Sequence, residues 1–205
     1  MARLLIYNPG VTTDTSPSKD TRPYHHGDLP RALLEAAIQA ILEAGPAAVS
    51  LRDLARRTGV SHAAPAHHFG DKAGLLTAVA TDGFRQLATT LRETYQATGS
   101  FLEVGVAYVG FAVTHRAHFE VMFRPELYHP DDPDLVGARD AARALLYPPA
   151  AEAANSSDGS DDVRAGVAAW SLVHGLATLW LNHNLPPQLG DDPEQITREV
   201  ARYLF

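Results

Sequence analysis

Hydrophobic residues recur at three- and four-residue steps along the chain, which is the period of amphipathic helices, and no stretch alternates with the period of a strand. The pattern predicts an all-α protein of about nine helices. A first helix begins near Asp28 and ends at Gly45-Pro46, and a long one follows Asp71 to about Gln96. We expect a small N-terminal head of three helices, a long connecting helix and a larger C-terminal helical bundle.

A glycine turn joins two short helices in the predicted head. The first starts at Ser50, with Asp53 three residues later as in a capping signature, and Gly59 suits the left-handed backbone that ends a helix. Ser61 is a suitable N-cap for the second helix, over residues 62–68. This order predicts a helix-turn-helix, whose second helix enters the DNA major groove. A helical hairpin that only packs against a neighbour is the alternative.

The residues around the glycine turn also carry a family pattern. It consists of Leu51-Arg52-Asp53-Leu54-Ala55, Val60-Ser61, His68-Phe69, Asp71-Lys72 and Leu75-Leu76. With this pattern, the run from Tyr24 to Phe84 resembles the DNA-binding domain of the tetracycline-repressor-like (TetR) family of bacterial regulators. The resemblance implies a transcriptional regulator, most often a repressor, that binds a palindromic operator as a homodimer and responds to a small molecule.

Eight head residues are candidates for contact with DNA. A helix that enters a groove needs small and hydrogen-bonding side chains at its start, because bulky ones would hold the backbone away from the bases. The resemblance departs at one of the eight, Ala66, where many family members have a Tyr that touches the DNA backbone. We expect phosphate contacts from Ser50, Arg52, Ser61 and Lys72, and base contacts from His62, Ala63 and His67.

The distribution of charge modifies this picture. The net charge is −7, but residues 1–90 carry +1 and residues 91–205 carry −8, so the acidic residues lie in the second half. Arg56 and Arg57 join Arg52 and Lys72 around the motif and could neutralise phosphates with them. Residues 1–23 have no apolar period and are expected to form a flexible arm.

The second half of the chain is aromatic and apolar, which allows either a ligand cavity or an ordinary core. Family members usually carry a small-molecule pocket in this domain, and in them the last two helices pair with a second subunit. The candidate pocket residues are Tyr108, Phe111, His115, Phe119, Phe123, Tyr147, Trp170 and His174. The candidate dimer residues are Trp170, Val173, Ala177, Trp180, Val200 and Leu204, an intramolecular core helix being the alternative.

Catalysis and metal binding have little support in the sequence. There is no cysteine, no phosphate-binding glycine loop and no nucleophile elbow. The pairs His25-His26, His67-His68 and His115-x-x-His118 lack flanking carboxylates in a ligand pattern, so we expect no metal, no cofactor and no enzyme activity. The apolar run at the start is too short for a signal peptide, and a cytoplasmic protein is expected.

The sequence therefore predicts three regions: an arm over residues 1–23, a helix-turn-helix domain over 24–72, and a ligand-binding and dimerisation domain over 73–205. The predicted partners are double-stranded DNA, a second copy of the chain and a small-molecule effector, with no membrane. A small-molecule-binding protein of the same fold without DNA binding is the alternative function.

Overall fold

The computed structural model describes residues 29–146 and 159–203, and in the second range its side chains from residue 163. All regular structure in these ranges is helical. Nine α-helices follow one another: α1 (Leu29–Ala44), α2 (Leu51–Thr58), α3 (Ala64–Phe69), α4 (Lys72–Thr98), α5 (Phe101–Thr114), α6 (Arg116–Met122), α7 (Pro133–Arg143), α8 (Gly159–Leu181) and α9 (Pro193–Ala201). Short 3-10 turns cover Pro46–Ala48, Pro125–Leu127 and Pro187–Leu189.

The head is formed by α1, α2, α3 and the start of α4. Leu33 and Ile41 lie on one face of α1, two turns apart, and both are buried against Leu54 of α2 and Leu75 of α4. This apolar face is the one that the helical period predicts. The all-helical fold and the three-helix head are thus as predicted.

The long helix α4 connects the head with the rest of the molecule. Its 27 residues span about 40 Å at the rise of an α-helix. The Asp71 carboxylate accepts a hydrogen bond from the Gly74 amide at 2.8 Å and caps the start of the helix. At its other end Gly99 takes the left-handed conformation, with φ of 61°. One continuous element therefore runs from the head into the C-terminal bundle.

The C-terminal bundle is organised around α5, which packs against α4, α8 and α9. Helix α8 contributes Val173 and Ala177 to the buried core. A two-pronged ion pair ties α5 to α9, because the Arg198 guanidinium donates to both carboxylate oxygens of Glu103, at 2.9 and 3.0 Å. Helix α6 lies directly on α4, where a Cβ at Gly83 would come within 2.6 Å of Met122 Sδ.

Two local predictions in the head differ from the structure. Helix α3 begins at Ala64 and not at His62, because residues 61–64 form a turn in which the Ala64 amide donates to the Ser61 carbonyl at 3.0 Å. The Ser61 hydroxyl therefore does not cap the helix. Ser50 does occupy the N-cap position of α2, but its hydroxyl makes no capping hydrogen bond.

Several expectations fall on residues outside the described ranges. These are the N-terminal arm, the His25-His26 pair, Tyr147 and Leu204. Within residues 29–146 and 159–203, no helix is long and apolar enough to cross a membrane. No group of three or more potential metal ligands comes together among the residues that the structure describes.

Candidate functional site

The turn between α2 and α3 projects α3 from the head. Gly59 adopts the left-handed conformation, with φ of 71°, and the Val60 amide donates to the Ala55 carbonyl at 3.0 Å, which closes the end of α2. Val60 is half-buried and packs against the core. The chain therefore leaves α2 in a fixed direction, as a helix-turn-helix requires.

One face of α3 packs on the head and the other is exposed. Pro65 is buried and Phe69 packs against the core. His68, which the sequence analysis matched to the family pattern, is exposed, with its ring centroid 6.4 Å from that of Phe69. Five candidate DNA contacts are exposed: Ser61, His62 and Ala63 in the turn before α3, and Ala66 and His67 on its outer face.

The four cations near the motif differ in their partners. Arg56 donates to Asp53 at 2.5 Å, and Arg57 bridges Asp53 and Glu43 with nitrogen–oxygen distances of 2.6 and 2.7 Å. Hydrogen bonds from Arg57, which contributes most, and from Arg56 hold the pKa of Asp53 below its usual value. Arg56 and Arg57 are therefore already engaged in ion pairs with carboxylates of the head.

The other two cations lie nearer to the exposed surface of the motif. Arg52 is exposed and has no ion-pair partner in the described part of the chain, and Ser50 beside it is also exposed. Lys72 is half-buried, and its Nζ donates to the Ala47 carbonyl at 2.6 Å. This bond joins the start of α4 to the turn that precedes α2, and it leaves two ammonium protons for another acceptor.

A cavity of about 270 Å³ lies in the C-terminal bundle between α4, α5, α6, α7 and α8. Its wall is largely aromatic and aliphatic, with two guanidinium groups on one side. It is lined by Phe84, Leu87, Tyr108, Met122, Phe123, Pro125, Tyr128, Arg139, Ala142, Arg143, Leu146 and Trp170. A mostly apolar wall with a few polar groups is the usual composition of a small-molecule site.

Three of the sequence-derived pocket candidates, Tyr108, Phe123 and Trp170, line this cavity. Four others do not. Phe111 stacks on His115 with ring centroids 4.4 Å apart. Phe119 and His174 pack against each other outside the cavity lining, with ring centroids 5.2 Å apart. These four are packing residues around the cavity, and Tyr147 lies outside the described residues.

A chain of hydrogen bonds stiffens one wall of the cavity. The Trp170 indole donates to the Tyr108 hydroxyl at 3.1 Å, and that hydroxyl lies 2.9 Å from His174 Nδ1. Because the indole is only a donor, the Tyr108 proton is available to a neutral His174 that accepts at Nδ1. Burial lowers the pKa of His174 and raises that of Tyr108, so both groups are held neutral.

Arg139 was missed by the sequence analysis. It lies on α7, is half-buried and lines the cavity, and its Nε atom is buried without a hydrogen-bond partner among the described residues. A signal was present in the sequence, since Arg139 lies one turn after Leu135 and beside Ala138 and Ala142, all three of which are buried. The burial of its Nε atom, which makes Arg139 a candidate ligand contact, is visible only in the structure.

The candidate dimer residues fall into two groups. Val173 and Ala177 are 6% and 0% exposed and pack in the protomer's own core. Trp170 is committed to the cavity wall, whereas Trp180 and Val200 are half-exposed. The large apolar residues exposed on the C-terminal helices and the segments around them are Val163, Val167, Leu179, Leu189 and Tyr203.

The loop after the cavity touches the start of α4. Tyr128 lines the cavity, and the amide of the next residue, His129, donates to Thr77 Oγ1 at 3.0 Å. The His129 ring lies 3.5 Å from Asp71, the residue that caps α4. Farther along α4, the Asp82 carboxylate lies 3.0 Å from Nε2 of buried His118 on α6, and the hydrogen bond from His118 keeps the pKa of that carboxyl low. The cavity wall and the head therefore share contacts within a few residues.

Comparison with known proteins agrees with this architecture. Residues 33–79 match the family described as bacterial regulatory proteins, tetR family, and residues 101–204 match the tetracyclin repressor-like C-terminal domain. The HTH-type transcriptional repressor Rv3405c of Mycobacterium tuberculosis is 42% identical over 67 residues, which cover 32% of this chain. Those residues span only 36% of that relative's length.

Solved structures extend the similarity to most of the chain. A protein of unknown function from Rhodococcus sp. RHA1 is 33% identical with a TM-score of 0.74, over 89% of this chain and 96% of that one. The regulator FadR of Bacillus subtilis, solved in complex with stearoyl-CoA, shares the fold at 13% identity and a TM-score of 0.62, over 85% and 96% of the two chains. Together with the helix-turn-helix geometry, these matches establish that the chain belongs to the TetR family of bacterial transcriptional regulators.

Proposed function

We propose that this regulator binds a palindromic DNA operator as a homodimer and releases it when a small molecule enters the C-terminal cavity. The observation that carries the proposal is the exposed surface formed by residues 61–63 and the outer face of α3. Small and hydrogen-bonding side chains are exposed there, while Pro65 and Phe69 anchor the opposite face of the helix. Regulation of transcription requires access to DNA, which places the proposed activity in the bacterial cytoplasm. We assign no catalytic step and no cofactor to the protein.

The proposed DNA contacts divide into phosphate and base contacts. Arg52 and the Ser50 and Ser61 hydroxyls are exposed and can reach phosphates, and Lys72 can do so with the protons that Ala47 does not use. His62 and His67 can hydrogen-bond to base edges, and the Ala63 methyl group can contact a thymine methyl. Ala66 keeps the backbone close to the DNA without supplying a hydrogen bond of its own.

Homodimer formation is supported by exposed apolar residues near the C-terminus. Val163, Val167 and Leu179 are 43 to 54% exposed on α8, and Tyr203 just after α9 is 88% exposed. Exposed apolar patches of this kind mark association surfaces. Two copies joined through these helices would present two α3 helices to successive major grooves, about 34–36 Å apart.

Effector control is supported by the contacts between the cavity and the head. A ligand that contacts Tyr128 would move the His129 contacts with Thr77 and Asp71, and hence the tilt of α4 under α3. The ligand can shift the equilibrium only through its different affinity for the two tilts. An effector that lowers DNA affinity releases the operator, which is the response of a ligand-controlled repressor.

The DNA contacts are tested by a matched pair of arginine variants. Arg52→Ala removes a cation with no ion-pair partner in the described chain, whereas Arg56→Ala removes one that already pairs with Asp53. Fluorescence anisotropy with DNA from upstream of the protein's own gene is measured at several salt concentrations. Arg52→Ala should reduce the slope of log K against log[salt] by about 1.8 for a dimer, and Arg56→Ala should leave it unchanged. Equal slopes for wild type and both variants would refute the phosphate assignment.

A second function, ligand binding by the same fold without DNA binding, is favoured by one observation. Arg56 and Arg57 are neutralised within the head, which leaves few cations for phosphates. Under that function the wild-type protein would bind upstream DNA no better than unrelated DNA at physiological salt. The same titration therefore separates the two functions.

A further inference from the structure

Arg139, a half-buried residue in the wall of the C-terminal cavity, indicates the chemistry of the effector. We propose that the cavity binds a small aromatic monocarboxylate, with the carboxylate paired to Arg139 and the ring packed against Phe123 and Trp170. This inference rests on the proposed function, because it names the ligand class of the cavity assigned there to the effector.

The first step of the argument is the unpaired donor. Arg139 lines the cavity, and its Nε atom is buried and donates to no acceptor in the described part of the chain. A buried donor without an acceptor is costly, and a buried positive charge more so, unless an anion compensates for it. A ligand carboxylate paired with this guanidinium would offset the cost.

The second step concerns the geometry of the anion. Nε and one terminal nitrogen of an arginine form a planar fork that matches the two oxygens of a carboxylate. A terminal ammonium or an amide side chain would not offer this fork. Because Arg139 lines the cavity, a carboxylate placed there can pair with its guanidinium.

The third step concerns the body of the ligand. Phe84 and Phe123 meet edge to face with ring centroids 5.6 Å apart, and Phe123 and Trp170 lie 6.0 Å apart. Aromatic walls of this kind favour a flat apolar group, which they contact by stacking and edge packing. A volume of about 270 Å³ is near the lower limit for small-molecule sites, which limits the ligand to about one ring and a short acid chain.

A second cavity of about the same size lies between α5, α8 and α9 but lacks such an anchor. Its wall is apolar apart from Thr197 and Arg202, and Arg202 is exposed at the surface. Nothing there would orient a charged group, whereas Arg139 would do so in the first cavity. The observations therefore assign the carboxylate to the cavity that contains Arg139.

The test uses isothermal titration calorimetry on the full-length protein with benzoate, phenylacetate and 3-phenylpropionate. Each acid is compared with its primary amide, which has the same shape without the charge. At least one acid should bind the wild-type protein about 10 to 100 times more tightly than its amide, which is the gain expected from a charge-assisted pair. Equal affinity for acid and amide, or no binding of any acid, would overturn the inference.

Variants separate a ligand contact from a structural role. Arg139→Met should lose the preference for the acid and still bind the amide within about twofold of wild type. Its melting temperature without ligand should equal or exceed that of wild type, because the unpaired buried donor is removed. A variant that melts clearly lower would mean that Arg139 supports the fold, against the proposal. Arg116→Gln, which removes an exposed cation paired with Glu120, should keep the acid preference.

The outcome is distinguishable from a failure of the proposed function. DNA binding by ligand-free wild type and by Arg139→Met is measured in parallel and should be equal. Loss of acid binding with intact DNA binding would overturn only the ligand class. Absence of DNA binding in the wild type, with acid binding intact, would instead overturn the operator proposal.

Discussion

Substitution of Gly74 by alanine tests the junction that holds α3 against α4. Gly74 lies in the first turn of α4, and a Cβ added there would be 1.9 Å from the carbonyl oxygen of Phe69, the last residue of α3. The two atoms would have to separate to at least 3.0 Å. The obstacle is backbone and not a flexible side chain, so the end of α3 or the start of α4 must move by about 1 Å.

The expected effect of Gly74→Ala combines two opposing contributions. Alanine is favoured over glycine inside a helix by about 0.5–1 kcal/mol. Steric overpacking costs about 1–3 kcal/mol, and the rigid obstacle puts this site at the upper end. The free energy of unfolding should therefore fall by about 1–2 kcal/mol. DNA affinity should fall at least about tenfold, because α3 is displaced from its register with the base edges.

Urea denaturation and anisotropy titration with upstream DNA measure the two effects. Gly137→Ala is the matched control, since a Cβ at Gly137 in α7 would meet no atom within 4 Å. The control should gain about 0.5–1 kcal/mol of stability and leave DNA affinity unchanged. If Gly74→Ala were as stable as Gly137→Ala and bound DNA like wild type, the described packing of α3 on α4 would be incorrect.

Three further predictions concern pH, assembly and coupling. Burial depresses the pKa of His174, so the contribution of this residue to stability is complete above about pH 6.5 and is lost as the pH falls through the folded-state pKa. In urea titrations, the free energy of unfolding should therefore drop less between pH 7 and pH 5 for His174→Asn than for wild type. Equal drops would contradict this. A Cβ at Gly175 on α8 meets no atom of the protomer within 4 Å, so Gly175→Leu should fold normally. It should weaken self-association at least about tenfold in sedimentation velocity, because the larger side chain would obstruct the interface. An unchanged dimer would argue against α8 as the interface. Thr77→Val removes the acceptor of the His129 amide. The variant should bind the effector as tightly as wild type, but effector-induced DNA release, measured by anisotropy, should fall about fivefold. If the effector released DNA from the variant as well as from wild type, this contact would not connect the cavity with the head.

The architecture could be predicted because each level of the sequence agrees with it. The periodicity of α1, the glycine at position 59 and the Asp71 cap each specify a local feature, and the structure contains all three. The start of α3 could not be predicted, because a turn formed by the Ser61 carbonyl competes with capping by its hydroxyl, and both suit a serine.

The functional surfaces were harder to predict than the helices. Helical spacing identifies which residues share a face, but it does not say whether that face meets the protomer's own core or a second subunit. Val173 and Ala177 are therefore core residues, although their spacing suits an interface equally well. In the head, the pairing of Arg57 with Glu43 joins residues 14 positions apart, and no local pattern predicts it. The domain boundary at residue 72 and the individual DNA contacts stay predictions.

Stoichiometric binding to operator DNA tests the central claim most directly. Upstream DNA that contains a palindrome is mixed with the protein at concentrations above the dissociation constant, and the complex is sized by analytical ultracentrifugation with wild type and His62→Ala in parallel. We predict two protomers per palindrome for wild type, and for His62→Ala a changed preference among operator sequences with the same salt dependence. A single protomer bound with full affinity, or equal binding of wild type to operator and unrelated DNA, would contradict the account.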